Sequence, residues 1–275
     1  MLKRIISFLI SFCLIFEQAG LAQVAPQLGI PAYLNGFSLP DRFRPVHLRY
    51  LAYDSTKNNF DLLLDKGDAK ELKEAQLEET TQKLLEYFQI GLTLPNSTFW
   101  VNLRPDSENE IIDPYLEKTD LGKVLLESDL QLKKDIARFT SPDTSEGRQY
   151  WDKLYEKAES IFGPQDISIP TLTRPWIVPG EIIIGESAEG AYIYKATLKV
   201  MLEEDYLKDS AVYSFDDPRL KELNEYSSEL VRKLIIPKLT REVNSSKRYA
   251  ALRQVYYSLI LAQWFKQRTE NREQI

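Results

Sequence analysis

The stretch "TRPWIVPGEIIIGESAEGAYIYKATLKVML", residues 173–202, holds two runs of β-branched and aromatic residues around the polar segment "ESAEG". Two such runs with a short polar connection predict a β-hairpin. Strands that are joined locally pair in the antiparallel sense, so this stretch predicts an antiparallel sheet at the centre of the fold.

Strand periodicity indicates where the tryptophan of this hairpin points. Trp176 is in phase with Val178 and Ile182 and out of phase with Glu181, which predicts that Trp176 faces the core. A bulge at Pro179-Gly180 would reverse this and place Trp176 at the lip of a site. On the second strand the alternation predicts one apolar face made of Tyr192, Tyr194, Ala196, Leu198, Val200 and Leu202.

A second hairpin is predicted upstream, from "VHLRYLAYD" (46–54) and "NFDLLLD" (59–65). Alternation places Val46, Leu48 and Tyr50 inward. The opposite face then carries His47 and Arg49 beside two aspartates, so we expect His47 to be a surface residue in cross-strand charge pairs with Asp61 and Asp65. The segment "STFWVNLR" (97–104) predicts one further short strand.

Helix start and stop signals follow most of these strands. Asp68 with Glu71 has the spacing of a capping box, Gly163-Pro164 is a stop signal, and Pro237 should kink or break the helix in which it lies. The predicted helices are 68–89, 121–139, 141–162, one beginning at Asp217-Pro218, and an apolar last helix at about 246–266. The fold class is therefore α+β, an antiparallel sheet of about five strands (two hairpins plus one strand) packed against several amphipathic helices.

The N-terminus has the organisation of an export signal. Lys3 and Arg4 precede the apolar run Ile5 to Phe16, and "GLA" (20–22) places small residues before a cleavage site. That run is too short to span a bilayer, so residues 1–22 are interpreted as a signal peptide. Residues 23–45 then form an irregular lead segment, 46–266 a single α+β domain, and 267–275 a polar tail.

Composition limits the possible partners and compartments. Acidic residues (41) exceed basic ones (35), which argues against nucleic acid. The single cysteine, Cys13, lies in the signal, so the mature chain has no disulfide or thiol chemistry. No later apolar stretch is long enough for a transmembrane span. We expect an exported protein of the periplasm, the cell envelope or the medium.

Most catalytic signatures are missing from the sequence. One histidine, His47, cannot supply a metal site that needs two or three, and "GESAEG" departs from the nucleophile elbow at Glu189. The sequence has no phosphate loop and no dinucleotide fingerprint. No metal, no cofactor and no catalytic residue is therefore predicted.

The strand at 97–104 supplies the predicted ligand-binding residues. With Phe99, Val101 and Leu103 on the apolar face, the opposite face carries Trp100, Asn102 and Arg104. An indole beside an amide and a guanidinium suits a ligand that has both apolar and hydroxyl or carboxylate groups, as in saccharide or peptide recognition. The alternative is that helices cover both faces and satisfy these side chains internally.

Acidic residues crowd the segment that follows this strand. They are Asp106, Glu108, Glu110, Asp113, Glu117 and Asp120. Two of them could act as acid and base in glycosidic cleavage if they faced one bond. The alternative is a solvated acidic loop.

Four blocks taken together resemble an uncharacterised family of exported bacterial proteins. They are "FWVNLRPDSENEIIDPYLEKTDLGKVLLESDLQLKKD", "TRPWIVPGE", "AYIYKATLKVMLEEDYL" and "LRQVYYSLILAQWFK". The resemblance implies export and one module, and it implies no activity. We expect a non-enzymatic envelope or extracellular module that binds an envelope protein or a cell-wall polymer. The alternative function is a glycan-directed hydrolase that uses carboxylates of the 106–120 loop.

Overall fold

The computed structural model of the chain describes residues 42–54, 56–69, 71–95, 112–164, 169, 174–206 and 217–273, with side chains described as far as Thr269. The predicted signal peptide lies outside the described residues, as do all of the lead segment before residue 42 and the predicted strand 97–104. The described residues belong to one compact unit, Pro40–Ile275.

Four strands form an antiparallel sheet in this part of the chain. They are β1 (His47–Asp54), β2 (Asn59–Asp65), β3 (Pro175–Glu186) and β4 (Gly190–Leu202), and the sheet order is β2-β1-β4-β3. Both predicted hairpins are therefore present, and the α+β class is confirmed. The predicted fifth strand falls on residues that are not described.

Helices account for most of the remaining described residues. They are α1 (Glu74–Thr93), α2 (Pro114–Glu117), α3 (Asp120–Thr140), α4 (Ser145–Phe162), α5 (Glu203–Tyr206), α6 (Pro218–Leu230), α7 (Ile236–Ser245) and α8 (Ala250–Glu273). A π-helical turn, Val231–Ile235, joins α6 to α7, and a 3₁₀ turn, Lys247–Tyr249, precedes α8. Within the described residues, no helix is both long and apolar enough to cross a membrane.

The predicted starts of α3 and α6 agree with the structure to within one residue. Thr119 caps α3 by accepting a hydrogen bond from Gly122 N, and Asp217 caps α6 from the position before Pro218. Two predicted starts are wrong. Asp68 binds Arg44 instead of opening a helix, and α1 begins six residues later, at Glu74. The helix predicted at Ser141 begins at Ser145, because the Thr144 side chain is the one that caps it.

The prediction for Trp176 is confirmed, since Trp176 is 1% exposed. The register does shift between Pro179 and Ile182, but this irregularity exposes Ile182, which was predicted to share the face of Trp176, and leaves Trp176 in the core. Its indole N–H donates to Glu203 Oε2 at 2.7 Å, and the Arg174 guanidinium lies 4.1 Å from the ring centroid. The buried indole therefore has a partner for its one polar group, as a buried tryptophan requires. Trp176 is a core residue.

The predicted apolar face of β4 is wrong over its first half. Ala191 and Ile193 are buried and Tyr194 is 62% exposed, whereas Leu198 and Val200 are buried further along the strand. The β3–β4 register shifts between Pro179 and Ile182 and again between Ile183 and Ile184. Each irregularity adds a residue to one strand and moves the side chains that follow to the other face.

The surface assignment of His47 is also wrong, because His47 is 6% exposed. The β1–β2 register shifts between Leu48 and Tyr50, so simple alternation fails. His47 packs against Tyr257 of α8, with ring centroids 4.1 Å apart. The predicted pairing with Asp65 is present in register, whereas Asp61 lies opposite Ala52.

α8 is the central helix of the core, as its apolar sequence predicted. Leu252, Val255, Leu259 and Trp264 are all buried, and the helix contacts α1, β1, β4 and α3. A helix that is apolar on nearly every face can be stable only when several neighbours cover it. The helix continues to Glu273, beyond Lys266.

Candidate ligand-binding site

A pocket of about 350 Å³ lies where the turns of both hairpins meet the C-terminal parts of α1 and α8. Its lining residues are Tyr53, Phe60, Phe88, Leu92, Ala188, Glu189, Trp264, Phe265, Arg268 and Thr269. This set is called the aromatic pocket below. Its volume falls within the range of small-ligand sites, at the small end.

Three phenylalanines from three different elements form the wall of the aromatic pocket. The ring centroids of Phe60 and Phe88 are 6.0 Å apart, those of Phe60 and Phe265 are 6.1 Å apart, and those of Phe88 and Phe265 are 5.6 Å apart. All three contacts are edge-to-face, the arrangement that the ring quadrupole favours. Tyr53 and Trp264 extend this cluster, at 5.1 Å from Phe60 and 4.9 Å from Phe265.

The wall is buried on one side and open on the other. Phe88 and Trp264 are buried, whereas Phe60 is 42% exposed and Tyr53 is 37% exposed. The local sequence explains the exposure, because Phe60 lies at the start of β2 beside the hairpin turn. Aromatic rings that stay exposed beside a buried aromatic floor offer contact area to a ligand.

The two hairpins are held together at the aromatic pocket. Tyr53 N–H donates to the carbonyl of Glu189 at 3.0 Å, and the turn of the second hairpin is closed by Ser187 N–H donating to the carbonyl of Gly190. Gly190 has no room for a side chain, since a Cβ there would lie 2.5 Å from the Cβ of Ala52. This close approach brings Ala188 and Glu189 to the pocket.

Arg268 contributes the cationic group of the aromatic pocket. Its guanidinium carbon lies 5.3 Å from the centroid of the Trp264 ring, and Nη2 donates to the carbonyl of Ala188 at 3.3 Å. Its Nε atom is buried and makes no hydrogen bond. Among the described residues, no carboxylate forms an ion pair with Arg268, so its charge is held next to aromatic rings without an anionic partner.

A second concavity, of about 380 Å³, lies along α1 and has a more polar lining. It is lined by Leu72, Gln76, Glu79, Thr80, Lys83, Leu84, Tyr87 and Gln254. Burial raises the pKa of the Tyr87 hydroxyl, with the nearby Lys83 opposing the shift. The aromatic pocket is the stronger candidate because its apolar rings converge on one charged group.

His47 belongs to a separate buried cluster of polar and aromatic groups. Its Nδ1 lies 2.9 Å from the carbonyl of Pro45 and must donate to it, because a carbonyl only accepts. Its Nε2 has no hydrogen bond and lies 3.8 Å from a carboxylate oxygen of Asp65. Burial lowers the pKa of His47, with the charge of Asp65 opposing this. This cluster does not line either concavity.

Asp135 is a buried carboxylate that has a structural role. It accepts from the Tyr249 hydroxyl at 2.9 Å and forms an ion pair with Arg248 at 2.8 Å. Burial and the neighbouring Asp135 raise the pKa of Tyr249. The group joins α3 to the 3₁₀ turn that precedes α8, and its partners leave no free catalytic carboxylate there.

The residues that the sequence singled out are placed as follows. Trp100, Asn102 and Arg104 lie outside the described residues, as do Asp106, Glu108 and Glu110. Of the other loop acids, Asp113 caps α2 by accepting from the backbone N–H groups of Tyr115 and Leu116, and Asp120 forms an ion pair with Lys123 at 2.9 Å. These two acids have structural roles, and Glu117 is exposed at the end of α2.

Sequence reasoning did not find the aromatic pocket. Its residues come from four separate parts of the chain, which no local sequence pattern brings together. The available signal was the pair Trp264-Phe265 followed by Arg268 near the end of an apolar helix. Within the described residues, no group of three histidine, cysteine, aspartate or glutamate side chains is placed to hold a metal ion.

Comparison of the chain with protein-family models, with curated proteins and with solved structures gives no match.

Proposed function

We propose that this protein is an exported binding module and that the aromatic pocket is its recognition site. The observation that supports this is the convergence of five aromatic rings, from the first hairpin, α1 and α8, on an open cavity of about 350 Å³ that the turn of the second hairpin also lines. Sites that bind small apolar groups combine such a lining with a few polar atoms. The proposal keeps the sequence-derived class, an envelope or extracellular interaction protein.

Binding is favoured over the alternative of glycan hydrolysis by the roles of Asp113 and Asp120, two loop acids whose contacts the structure describes. Hydrolysis requires two carboxylates that face one glycosidic bond. Asp113 and Asp120 instead cap a helix and pair with a lysine. Among the described residues, Glu189 supplies the one carboxylate that lines the aromatic pocket.

Export itself rests on the sequence of the first 22 residues. N-terminal sequencing of the protein recovered from its host should begin at Gln23, because small residues precede that position. A mature protein that retains Met1 would contradict export through a cleaved signal.

The pocket is tested with indole, a neutral aromatic probe that matches its lining. We expect indole to bind with a dissociation constant on the order of millimolar, as suits a ligand of so few atoms. Phe60→Ala should weaken binding by roughly two- to tenfold, because it removes one edge-to-face ring contact. Leu63→Ala is the matched control, since Leu63 is an exposed apolar residue of β2 that does not line the pocket.

A second variant tests the aromatic pocket by filling it with a large side chain from α8. Thr269 lies on α8 and lines the pocket, whereas Gln267 is exposed on the same helix and does not line it. Thr269→Trp should abolish indole binding, and Gln267→Trp should leave it intact. Equal binding by the two tryptophan variants would show that the aromatic pocket is not the site.

A further inference from the structure

The guanidinium of Arg268, which has no carboxylate partner among the described residues, indicates which ligand chemistry the aromatic pocket accepts. Arg268 has one nitrogen in contact with the carbonyl of Ala188, while its buried Nε makes no hydrogen bond. A buried donor without a partner costs free energy, so its presence in a pocket wall calls for an explanation. A ligand oxygen that bears negative charge would satisfy both the donor and the charge.

Three other arginines in the described residues have carboxylate partners. Arg174 pairs with Glu203, Arg232 with Asp205, and Arg248 with Asp135. The buried Arg253 has no carboxylate partner among the described residues, but its guanidinium donates to three backbone carbonyls. Arg268 differs from all four because its described contacts are one aromatic ring and one backbone carbonyl. The contrast favours an anionic ligand group over a purely apolar ligand.

The strand beside the pocket offers a second means of recognition. β2 is an edge of the sheet, and within the described residues it pairs with β1 alone. An edge strand presents unpaired backbone N–H and carbonyl groups that can accept an added strand. Phe60 belongs to β2 and also lines the aromatic pocket, so a segment added along β2 would end at the pocket.

We propose that the aromatic pocket binds the C-terminal residue of an extended polypeptide. The side chain, aromatic or large and aliphatic, packs against Phe60, Phe88 and Phe265, the terminal carboxylate pairs with Arg268, and the preceding residues add to the edge of β2. This proposal rests on the proposed function, because it assigns a ligand class to the same pocket.

The size and charge of the pocket agree with a chain terminus. A volume of about 350 Å³ accommodates one large side chain and its carboxylate, and leaves little space for a longer buried segment. Among the described residues, the lining carries one cation, Arg268, and one exposed carboxylate, Glu189, which suits a ligand with a single anionic group. A ligand with several negative charges would meet Glu189 unfavourably.

The test compares two versions of one hexapeptide of small neutral residues that ends in phenylalanine, one with a free C-terminal carboxylate and one with a C-terminal amide. The wild-type protein should bind the acid about tenfold or more tightly than the amide, because only the acid offers a charge-assisted bond to Arg268. N-acetyl-phenylalanine, which has the same end group without the preceding residues, should bind more weakly than the acid peptide.

Arg268→Gln should remove the preference for the acid while leaving amide binding nearly unchanged. The matched control is Arg241→Gln, which removes the same charge from an exposed arginine of α7 outside the pocket. The control should keep the full preference. Both variants should retain the thermal transition of the wild type, which confirms that they are folded.

Each other result has a definite meaning. If acid and amide bind equally well and indole also binds, the carboxylate assignment is wrong and the proposed function stands. If N-acetyl-phenylalanine binds as tightly as the acid peptide, strand addition is wrong and the ligand is a small aromatic acid. If indole and both peptides all fail to bind, the proposed function fails together with this inference.

Discussion

Leu259 lies in the middle of α8, and only 1% of it is exposed. It also lies close to Gly91 of α1, where an added Cβ would come within 2.9 Å of a Leu259 methyl group. The two helices are therefore packed without spare volume at this level, and the surrounding side chains have little freedom to fill a cavity.

Leu259→Ala should lower the free energy of unfolding by about 2–5 kcal/mol, because a buried leucine is replaced by a cavity. Urea unfolding monitored by circular dichroism measures the change. Gln267→Ala, an exposed position on the same helix, should change stability by roughly 0.5 kcal/mol or less. A loss below about 1 kcal/mol for Leu259→Ala would contradict the assignment of α8 as the central core helix.

For His47, the alternation of strand residues gave the wrong prediction of burial. The alternation pattern placed His47 on an outer face. In the structure His47 is buried, because the register shifts after Leu48 and the ring of Tyr257 packs against the imidazole. A sequence carries little information on which helix will cover a strand, and a bulge has no clear signature in one sequence. The pairing with Asp65 does not follow from the register at the turn alone, because His47 comes opposite Asp65 only beyond that shift.

The buried His47 predicts a pH dependence of stability. Burial lowers its folded-state pKa below 6.5, so between that lowered value and 6.5 the unfolded chain binds more protons than the folded one. Stability therefore falls as the pH is lowered through this window and is fully present above it. Asp65, with its pKa lowered, titrates further into the acid range.

The measurement is urea unfolding at pH 8 and pH 5 for the wild type and for His47→Gln, which cannot titrate. The wild type should lose more stability between these pH values than the variant does. Because the comparison uses the difference in pH slope, a constant loss caused by the substitution itself does not affect it. Parallel slopes for the two proteins would show that His47 protonates freely in the folded state.

Side chains of α7 form hydrogen bonds with the backbone of β4 along the part of the strand that does not pair with β1. β1 pairs with β4 only from Gly190 to Tyr192. Further along β4, the side chain of Asn244 binds the backbone of Leu198. Its Oδ1 accepts from Leu198 N–H at 2.9 Å, and its Nδ2 donates to the carbonyl of Leu198 at 2.6 Å. Thr240 Oγ1 accepts from Val200 N–H in the same way. Two side chains on α7 therefore provide hydrogen-bond partners for the backbone groups of Leu198 and Val200.

Asn244→Ala should destabilise the protein by about 1–3 kcal/mol, because it leaves the N–H and the carbonyl of Leu198 without partners. Ser245→Ala is the control, since that exposed hydroxyl only donates to the carbonyl of Arg241 within α7. Thermal unfolding of both variants makes the comparison. Equal transition temperatures would contradict the role of Asn244 as a substitute for strand pairing.

Near Pro237, where a kink or break was predicted, the structure has a π-helical turn between two helices. The chain passes from α6 through a π-helical turn at Val231–Ile235 into α7, with Pro237 in the first turn of that helix. A proline is tolerated there because its missing N–H would have had no intrahelical partner. The sequence indicated the position of the irregularity, and the packing of Val231 and Ile235 in the core determined its form.

The fold class and most helices could be predicted from the sequence because they depend on local patterns: caps such as Thr119, stops such as Gly163, and the apolar run of α8. The sheet order and the aromatic pocket could not, since they depend on contacts between distant segments. Tyr53, Phe88, Glu189 and Trp264 meet only after both hairpins and two helices have packed.

The most direct test of the aromatic pocket uses the tryptophan indole N–H signals of ¹⁵N-labelled protein during a titration with indole. Trp264 lines the pocket, Trp176 is buried in the core, and Trp100 belongs to the surface predicted from the strand at 97–104. We expect the Trp264 signal to move in a saturable manner while those of Trp176 and Trp100 stay in place. A saturable shift of Trp100 with Trp264 unmoved would contradict the assignment of the aromatic pocket as the recognition site.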